Sequence, residues 1–432
     1  MLVEMAPKCW LKRRQSAVCA DRGYGVGAME YLPRRADELI SDALTFSGGV
    51  AIQGVKGCGK TETAKQFAKS MLRVDVDPNV APALGINPGS LLEGETPRLV
   101  DEWQEAPLLW DLARHEIDER REPGQFIFTG STEPTQNATK HSGAGRFVRI
   151  TMSTMTFFES GDSDGLVSLR DVAAGVEAPF VAGEFSDIQL AERMCRGGWP
   201  ANVSESLDHA MKRNRSYLES IINVEINAID TARRDPERVR ALLASLARNV
   251  GTECDLSTLA SDADLNRGTA QQYLDALSRI FVSTDQPAWS PLLRSRTPLR
   301  KSPKRHLVDP ALAMAALDRR PKDLLADLNY MGQLFESQVV HDLRVYSDNT
   351  VSHARLKNGS EVDAVVTVDG ETILVEVKLG FYPQVIEKAA ESLHAFAQHL
   401  VDQPRLMIVT GGGPSYTRPD GIAVVPLNRL KP

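Results

Sequence analysis

Residues 54–61, Gly-Val-Lys-Gly-Cys-Gly-Lys-Thr, have the spacing G-x-x-x-x-G-K-T, which suits a polyphosphate. A loop that wraps phosphates must turn its backbone N–H groups inward, and Gly54, Gly57 and Gly59 permit this. Val55, Lys56 and Cys58 supply the backbone between them, with Cys58 read as a small side chain tolerated there. Lys60 would reach the β- and γ-phosphates, and the Thr61 hydroxyl would bind magnesium. ATP with Mg2+ is the cofactor pair this implies. The acid pair Asp101 and Glu102 follows Leu99-Val100. Asp101 would hold magnesium through water, and Glu102 would polarise the attacking water. Ser131 or Thr129, ending the run Phe126-Ile127-Phe128-Thr129-Gly130-Ser131, would sense the γ-phosphate. Arg146, in Gly-Ala-Gly-Arg, is a candidate cation for charge that develops in transfer. A solvated arginine accounts for it equally well.

A second group lies in residues 359–380. Two alternating strands flank Asp369-Gly370, a hairpin signal. Alternation puts Glu361 with Asp363 on one face and Glu376 with Lys378 on one face, while Val375 and Val377 point into a core. Carboxylates that hold a divalent ion, with a lysine to orient or activate water, are what metal-dependent phosphodiester cleavage needs. The candidate ligands are therefore Asp363, Glu376 and, from the helical stretch 332–343, Glu336, with Lys378 as the catalytic cation. A surface hairpin with acids outward has the same pattern.

The elements that must position these residues are short. Residues 49–53, 99–100 and 126–128 read as buried strands, alternating with helical patterns as in α/β units. After the glycine-rich loop, Ala64, Phe67, Ala68, Met71 and Leu72 fall on one face of an expected helix. Residues 161–183, rich in Gly, Asp and Ser, suggest a surface excursion, and residues 189–247 are helical in pattern. Residues 255–281 read as a helix-turn-helix, with Leu256, Leu259 and Ala260 on one face, a turn at Asn266-Arg267-Gly268, and Ala270, Tyr273, Leu274 and Leu277 on the second helix. The stretch 291–306 carries Arg294, Arg296, Arg300, Lys301, Lys304 and Arg305 and no acid. It is a candidate DNA contact over 294–305, or a solvated connection.

Composition excludes some classes. The chain has 432 residues, too many for one ordinary core, so about two to four domains are expected. It is 42% hydrophobic and 25% charged with net charge -7, an ordinary globular balance with no overall pull toward nucleic acid. The five cysteines are scattered and odd in number, which argues against a disulfide framework or zinc site and for a reducing cytoplasm. No stretch is long and apolar enough to span a bilayer. Lys8, Lys12, Arg13 and Arg14 are not followed by an apolar run, so a secretory signal is not expected.

Taken in order, the P-loop, "LVDEWQ", "FIFTGS", "GAGR", "GGWPA" at 197–201, "KSPKRHLVDP" at 301–310, "GQLFESQVV" and "EVDAVV…VEVK" resemble a bacterial and archaeal family of AAA-type P-loop ATPases. Its members carry a C-terminal domain of unknown function resembling restriction endonucleases. The resemblance covers residues 31–377. It implies an α/β fold in four parts: a flexible tail (1–30), a P-loop ATPase domain (31–188), a helical and winged-helix-like segment (189–306) and a nuclease-like α/β domain (307–432). It also implies that Asp363, Glu376 and Lys378 match a D…(D/E)-x-K motif. The tail and the 161–183 excursion are longer than the family pattern. The expected function is an ATP-binding, ATP-hydrolysing switch or motor coupled to a nuclease-like domain, acting on DNA. The alternative is a non-catalytic ATP-dependent regulator that binds DNA or protein. AAA-type domains commonly form rings, so a homo-oligomer is a further expectation, with no membrane partner.

Overall fold

The computed structural model describes residues 31–132, 142–183, 185–289, 302–348, 351–356, 359–400 and 402–432. The expected tail and the basic residues Arg294, Arg296, Arg300 and Lys301 lie outside them.

Runs of apolar residues that need cover on both faces form parallel strands. β1 (Gly49–Gly54), β2 (Ser70–Arg73), β3 (Arg98–Asp101), β4 (Phe126–Gly130) and β5 (Phe147–Met152) make one sheet in the order β2-β3-β4-β1-β5. β1 is parallel to both neighbours, with Val50 opposite Ile127 on one side and Val148 on the other. Val50 and Ile52 pack with Ala36, Ile40 and Ala43 of the Arg35–Phe46 helix, while Ala51, Phe126 and Phe128 face the opposite layer. That layer is aromatic. Trp110, on the Leu108–Arg120 helix, stacks on Trp103 at 4.8 Å and Phe147 at 4.1 Å, and meets Phe128 edge-on at 5.5 Å. The helix after the glycine-rich loop is shorter than its apolar spacing suggests. It covers Lys60–Lys65 only, and Met71 and Leu72 belong to β2. Helical and strand spacing coincide over so short an apolar run, and pairing with β3 decides.

The middle of the chain is built on the helices Asp187–Arg196, Leu207–Ser220, Pro236–Arg248, Leu256–Asp262 and Arg267–Arg279. β7 (Thr252–Glu253), β8 (Ser283–Gln286) and β9 (Lys304–Leu307) form an antiparallel sheet with β9 central. The turn between the paired helices is at residues 263–265, with Asp264 left-handed at φ 50°. Asn266 is a helix cap rather than a turn residue: its side chain accepts from Thr269 N at 2.9 Å, and Arg267 and Gly268 are already helical. Asparagine serves both roles, and an uncapped first turn decides for the cap.

β10 (Val351–Arg355), β11 (Glu361–Val368), β12 (Glu371–Lys378), β13 (Arg405–Thr410), β14 (Tyr416–Thr417) and β15 (Ala423–Pro426) form a mixed sheet in the order β10-β11-β12-β13-β15-β14. The β11–β12 turn has Asp369 and Gly370 at φ 51° and 87°, the backbone a two-residue hairpin needs. The helices Leu328–Tyr346 and Pro383–Ala397 cover the sheet.

Residues 161–183 run along the surface, with residues 174–177 exposed, but are tied to the C-terminal region rather than forming a free excursion. β6 (Val167–Ser168) runs parallel to β16 (Leu430–Lys431), Val181 bridges Ser415, and Ala178 N donates to Thr417 Oγ1 at 2.7 Å. Ser, Asp and Gly serve here as partners for a distant backbone. The expected boundary at 306–307 likewise falls inside β9. Among the described residues no helix is long and apolar enough to cross a membrane.

The aromatic layer gives a first prediction. Trp110 is 1% exposed, so Trp110→Ala should cost about 3–5 kcal/mol. This would be read as a lower urea midpoint for the unfolding transition that reports the first sheet. A loss below about 1 kcal/mol would mean that the cluster collapses around the hole instead.

Candidate functional site

The glycine-rich loop leaves the end of β1 and is held from several sides. Gly54 has φ 149°, and a Cβ there would lie 2.0 Å from Met152 O, so no other residue fits. Gly57 and Gly59 are also left-handed, at φ 77° and 104°. Lys60 is buried, and its Nζ donates to Gly54 O at 2.9 Å and Val55 O at 3.1 Å. Its ammonium therefore lies against the loop it is expected to serve. Cys58 is buried with Sγ 3.7 Å from Met152 O. Lys56 is exposed and pairs with Glu225 at 2.8 Å.

The ends of β3 and β4 lie beside this loop. Asp101 Oδ1 accepts from Thr61 Oγ1 at 2.7 Å and also from Thr129 Oγ1. Glu102 is left-handed, at φ 53° and ψ 46°. That backbone is uncommon for a residue with a side chain, and such strain concentrates at functional positions. Its Oε2 accepts from Gln104 Nε2 and lies 3.3 Å from Ser131 Oγ. Thr61, Asp101, Glu102, Thr129 and Ser131 are therefore brought to one place. A cradle that a Cβ at Gly54 would close, beside a hydroxyl–carboxylate pair, fits a triphosphate and its magnesium.

Arg146 is not brought there. It precedes β5, its carbonyl accepts from Gly49 N at the start of β1, and its guanidinium pairs with Asp118 at 3.0 Å. It lies at the edge of the sheet opposite the loop. The cation that does meet the loop is Arg34, which donates to Cys58 O at 2.6 Å and Ser153 O at 2.8 Å. Trp199, from the "GGWPA" segment, covers Gly57, and its Nε1 donates to Lys56 O at 3.3 Å. The sequence reading assigned no role to Arg34 or Trp199. The paired glycines before Trp199 were the available signal, since a Cβ at Gly198 would lie 2.2 Å from Met155 O.

The second group also converges. The β11–β12 ladder stops at Ala364 opposite Val375, and the splayed ends are filled by side chains. Asp363 Oδ2 accepts from Val377 N at 2.8 Å, and Glu376 Oε1 accepts from Ser392 Oγ at 2.9 Å. Lys378 Nζ is 2.7 Å from Glu376 Oε2 and 3.7 Å from Asp363 Oδ2. Glu336 approaches from its helix. Between it and Asp363 stands Lys304, whose Nζ is 2.5 Å from Glu336 Oε1 and 3.6 Å from Asp363 Oδ1. Glu361 is exposed and pairs with Arg355 at 3.6 Å, so it stands apart. Burial raises Glu336 to about 7 and Glu376 to about 8, with Asp363 adding to both shifts and the lysines opposing them. Burial also opposes ionisation of Asp363, but Lys304 and Lys378 hold its carboxyl below the usual range. Lys304 and Arg305 were expected to face DNA. Lys304 is buried among the acids, and Arg305 is ion-paired with Asp285.

Comparison with known proteins follows these divisions. A family model described as an AAA domain matches residues 47–160. Two domains of unknown function, DUF8612 and DUF4143, match residues 187–323 and 331–430. No curated protein matches. Among solved structures, a Walker-type ATPase of Pyrococcus abyssi is 13% identical with a TM-score of 0.42, over 69% of this chain and 99% of that one. A signal-transduction ATPase with numerous domains and a tetratricopeptide-repeat sensor, from Pyrococcus horikoshii, is 12% identical with a TM-score of 0.21, over 76% of this chain and 50% of that one. The segment 47–160, with its parallel sheet and G-x-x-x-x-G-K-T loop, is an AAA-type P-loop domain.

The buried pair below the loop is testable. Glu159 Oε1 is 3.2 Å from Arg34 Nε and accepts from Arg35 N at 2.8 Å, and its Oε2 accepts from Thr156 N at 2.9 Å. Burial opposes ionisation of Glu159, yet Arg34 and these N–H groups hold it below the usual carboxylate range. A depressed folded value means that the stability is present above the unfolded value and is lost as pH falls through the folded one. Glu159→Gln should therefore cost roughly 3–5 kcal/mol at neutral pH, leaving Arg34 buried without its counter-charge. The gap to wild type should close as acid protonates Glu159 itself. A gap that stays constant with pH would show that the charge contributes nothing.

Proposed function

We propose that this chain binds ATP with Mg2+ through residues 54–61 and hydrolyses it, using the cycle to switch the domains that follow. The observation that carries this reading is the Asp101 carboxylate, which joins the Thr61 and Thr129 hydroxyls beside the loop. With nucleotide bound, Thr61 and Asp101 would hold the ion, and Lys60 would leave the carbonyls of Gly54 and Val55 for the phosphates. Glu102, flanked by Gln104 and Ser131, would polarise water. The strained backbone of Glu102 supports that role.

Residues 331–430 are read as a restriction-endonuclease-like domain. The reading is supported by Asp363, Glu376 and Lys378 meeting at the end of one ladder with Glu336 opposite. The helix pair at 256–279 with its three-stranded sheet supports a winged-helix-like segment and DNA as a partner. A cytoplasmic setting and a homo-oligomer complete the proposal. The second reading, a regulator whose nuclease-like domain does not cut, is favoured by the ammonium of Lys304 among the carboxylates.

Lys60→Ala should abolish ATP binding measured by calorimetry. Glu102→Gln should keep binding and reduce turnover by about a hundredfold or more. Binding by Lys60→Ala at wild-type affinity would overturn the assignment.

For DNA, replacing Arg294, Arg296, Arg300 and Lys301 together should reduce the slope of log affinity against log salt by roughly 3–4, one counterion per lost phosphate contact. An unchanged slope would make the stretch a solvated connection.

A further inference from the structure

Lys304 is presented by the central strand of the small sheet, and that strand is clamped on both sides of the carboxylate cluster. Two residues on, and on the same face, His306 has Nδ1 3.0 Å from Ser337 Oγ, beside Glu336 on the same helix, and Nε2 3.2 Å from Gln286 Oε1. Gln286 in turn donates to Asp363 O at 2.9 Å. Both His306 and Gln286 are buried. The ammonium of Lys304 is therefore delivered between Glu336 and Asp363 by a braced backbone.

A divalent ion held by carboxylates needs their oxygens turned to one point at about 2.0–2.6 Å. Lys304 Nζ fills the space between Glu336 and Asp363, while Asp363 and Glu376 hydrogen-bond each other with Lys378 Nζ beside the pair. Among the described residues no group of three or more His, Cys, Asp or Glu side chains is disposed to hold a metal ion. The metal that a D…(D/E)-x-K domain implies does not fit the residues present.

We infer that Lys304 is the resident cation of this cluster, taking the place of a divalent ion, so that β9 of the preceding segment gives residues 331–430 a metal-independent charge balance. The inference rests on the nuclease-like reading of the domain, which is what implies a metal there. Like charges crowded without a cation repel, so removing the Lys304 charge should turn the cluster into a metal site. The loop at 54–61 is unchanged in every variant and contributes equally to each.

The test is titration of the nucleotide-free full-length protein with Mn2+, read by electron paramagnetic resonance of free Mn2+ and by thermal unfolding. Wild type should take up no Mn2+ that Asp363→Asn abolishes. Lys304→Met should bind one Mn2+ at least about tenfold more tightly than wild type, gain thermal stability from it, and lose both effects when Asp363→Asn is added. Uptake by wild type that is lost in Asp363→Asn would overturn the inference while leaving the nuclease-like reading intact. A folded Lys304→Met variant that takes up no Mn2+ would sink both, because the carboxylates would then be no cation site at all. If Lys304→Met does not fold, Lys304→Gln, which removes the charge but keeps a polar side chain, takes its place: uptake of Mn2+ that Asp363→Asn abolishes upholds the resident lysine, and no such uptake overturns it.

Discussion

The backbone that leaves β5 runs buried through the centre of the protein, and buried N–H and C=O groups must be paired. Its partners come from every part of the chain. Met155 N donates to Gly198 O at 2.7 Å, Thr156 N to Glu159, Phe157 N to Asp342 Oδ2 at 2.9 Å and Phe158 N to Tyr346 OH at 3.4 Å. The carbonyls of Ser153 and Met155 accept from Arg34 and Arg193. Residues 153–159 thus fix the positions of the P-loop, the helical segment and the C-terminal domain at once. Shifting any of these parts leaves a buried polar group unpaired, at about 1–3 kcal/mol each.

This arrangement links the two candidate sites through the Leu328–Tyr346 helix. One stretch of it carries Glu336 into the carboxylate cluster. The next carries His341, 3.1 Å from Thr154 Oγ1, and Asp342, whose Oδ1 accepts from Gln338 at 2.8 Å. On the other side of the same backbone, Arg34 and Cys58 tie it to the P-loop, and Asp309 accepts from Gly198 N at 2.8 Å while capping the Pro310–Ala316 helix. A continuous series of packed and hydrogen-bonded contacts therefore runs from the loop to the helix that carries Glu336.

What was legible in the sequence was what short-range chemistry decides. A phosphate cradle is made by consecutive backbone, so residues 54–61 declare themselves. Asp101, Glu102 and Ser131 were legible because strand ends collect at one edge of a parallel sheet. The same rule should have placed Arg146 at the other edge, since it precedes its strand. Lys304 was misjudged for a different reason. It sits in a run of basic residues, and composition describes a run, whereas its acid partners lie on distant elements that only the fold brings near. Residues 161–183 misled in the same way: Ser, Gly and Asp look like solvent-facing loop until the strand they pair with is known.

That last segment bears on inheritance. Three family models divide the chain into what look like exchangeable parts. Yet Ser163 Oγ donates to Leu430 O, Arg429 pairs with Asp164, and Arg405 donates to Ala173 O, so a strap from the first half is bound to the C-terminal region, where β6 pairs with β16 in a separate two-stranded sheet. A recombination event that replaced residues 331–430 alone would leave the strap facing a foreign surface. The first and last regions should therefore descend together, with changes on β6 matched by changes on β16.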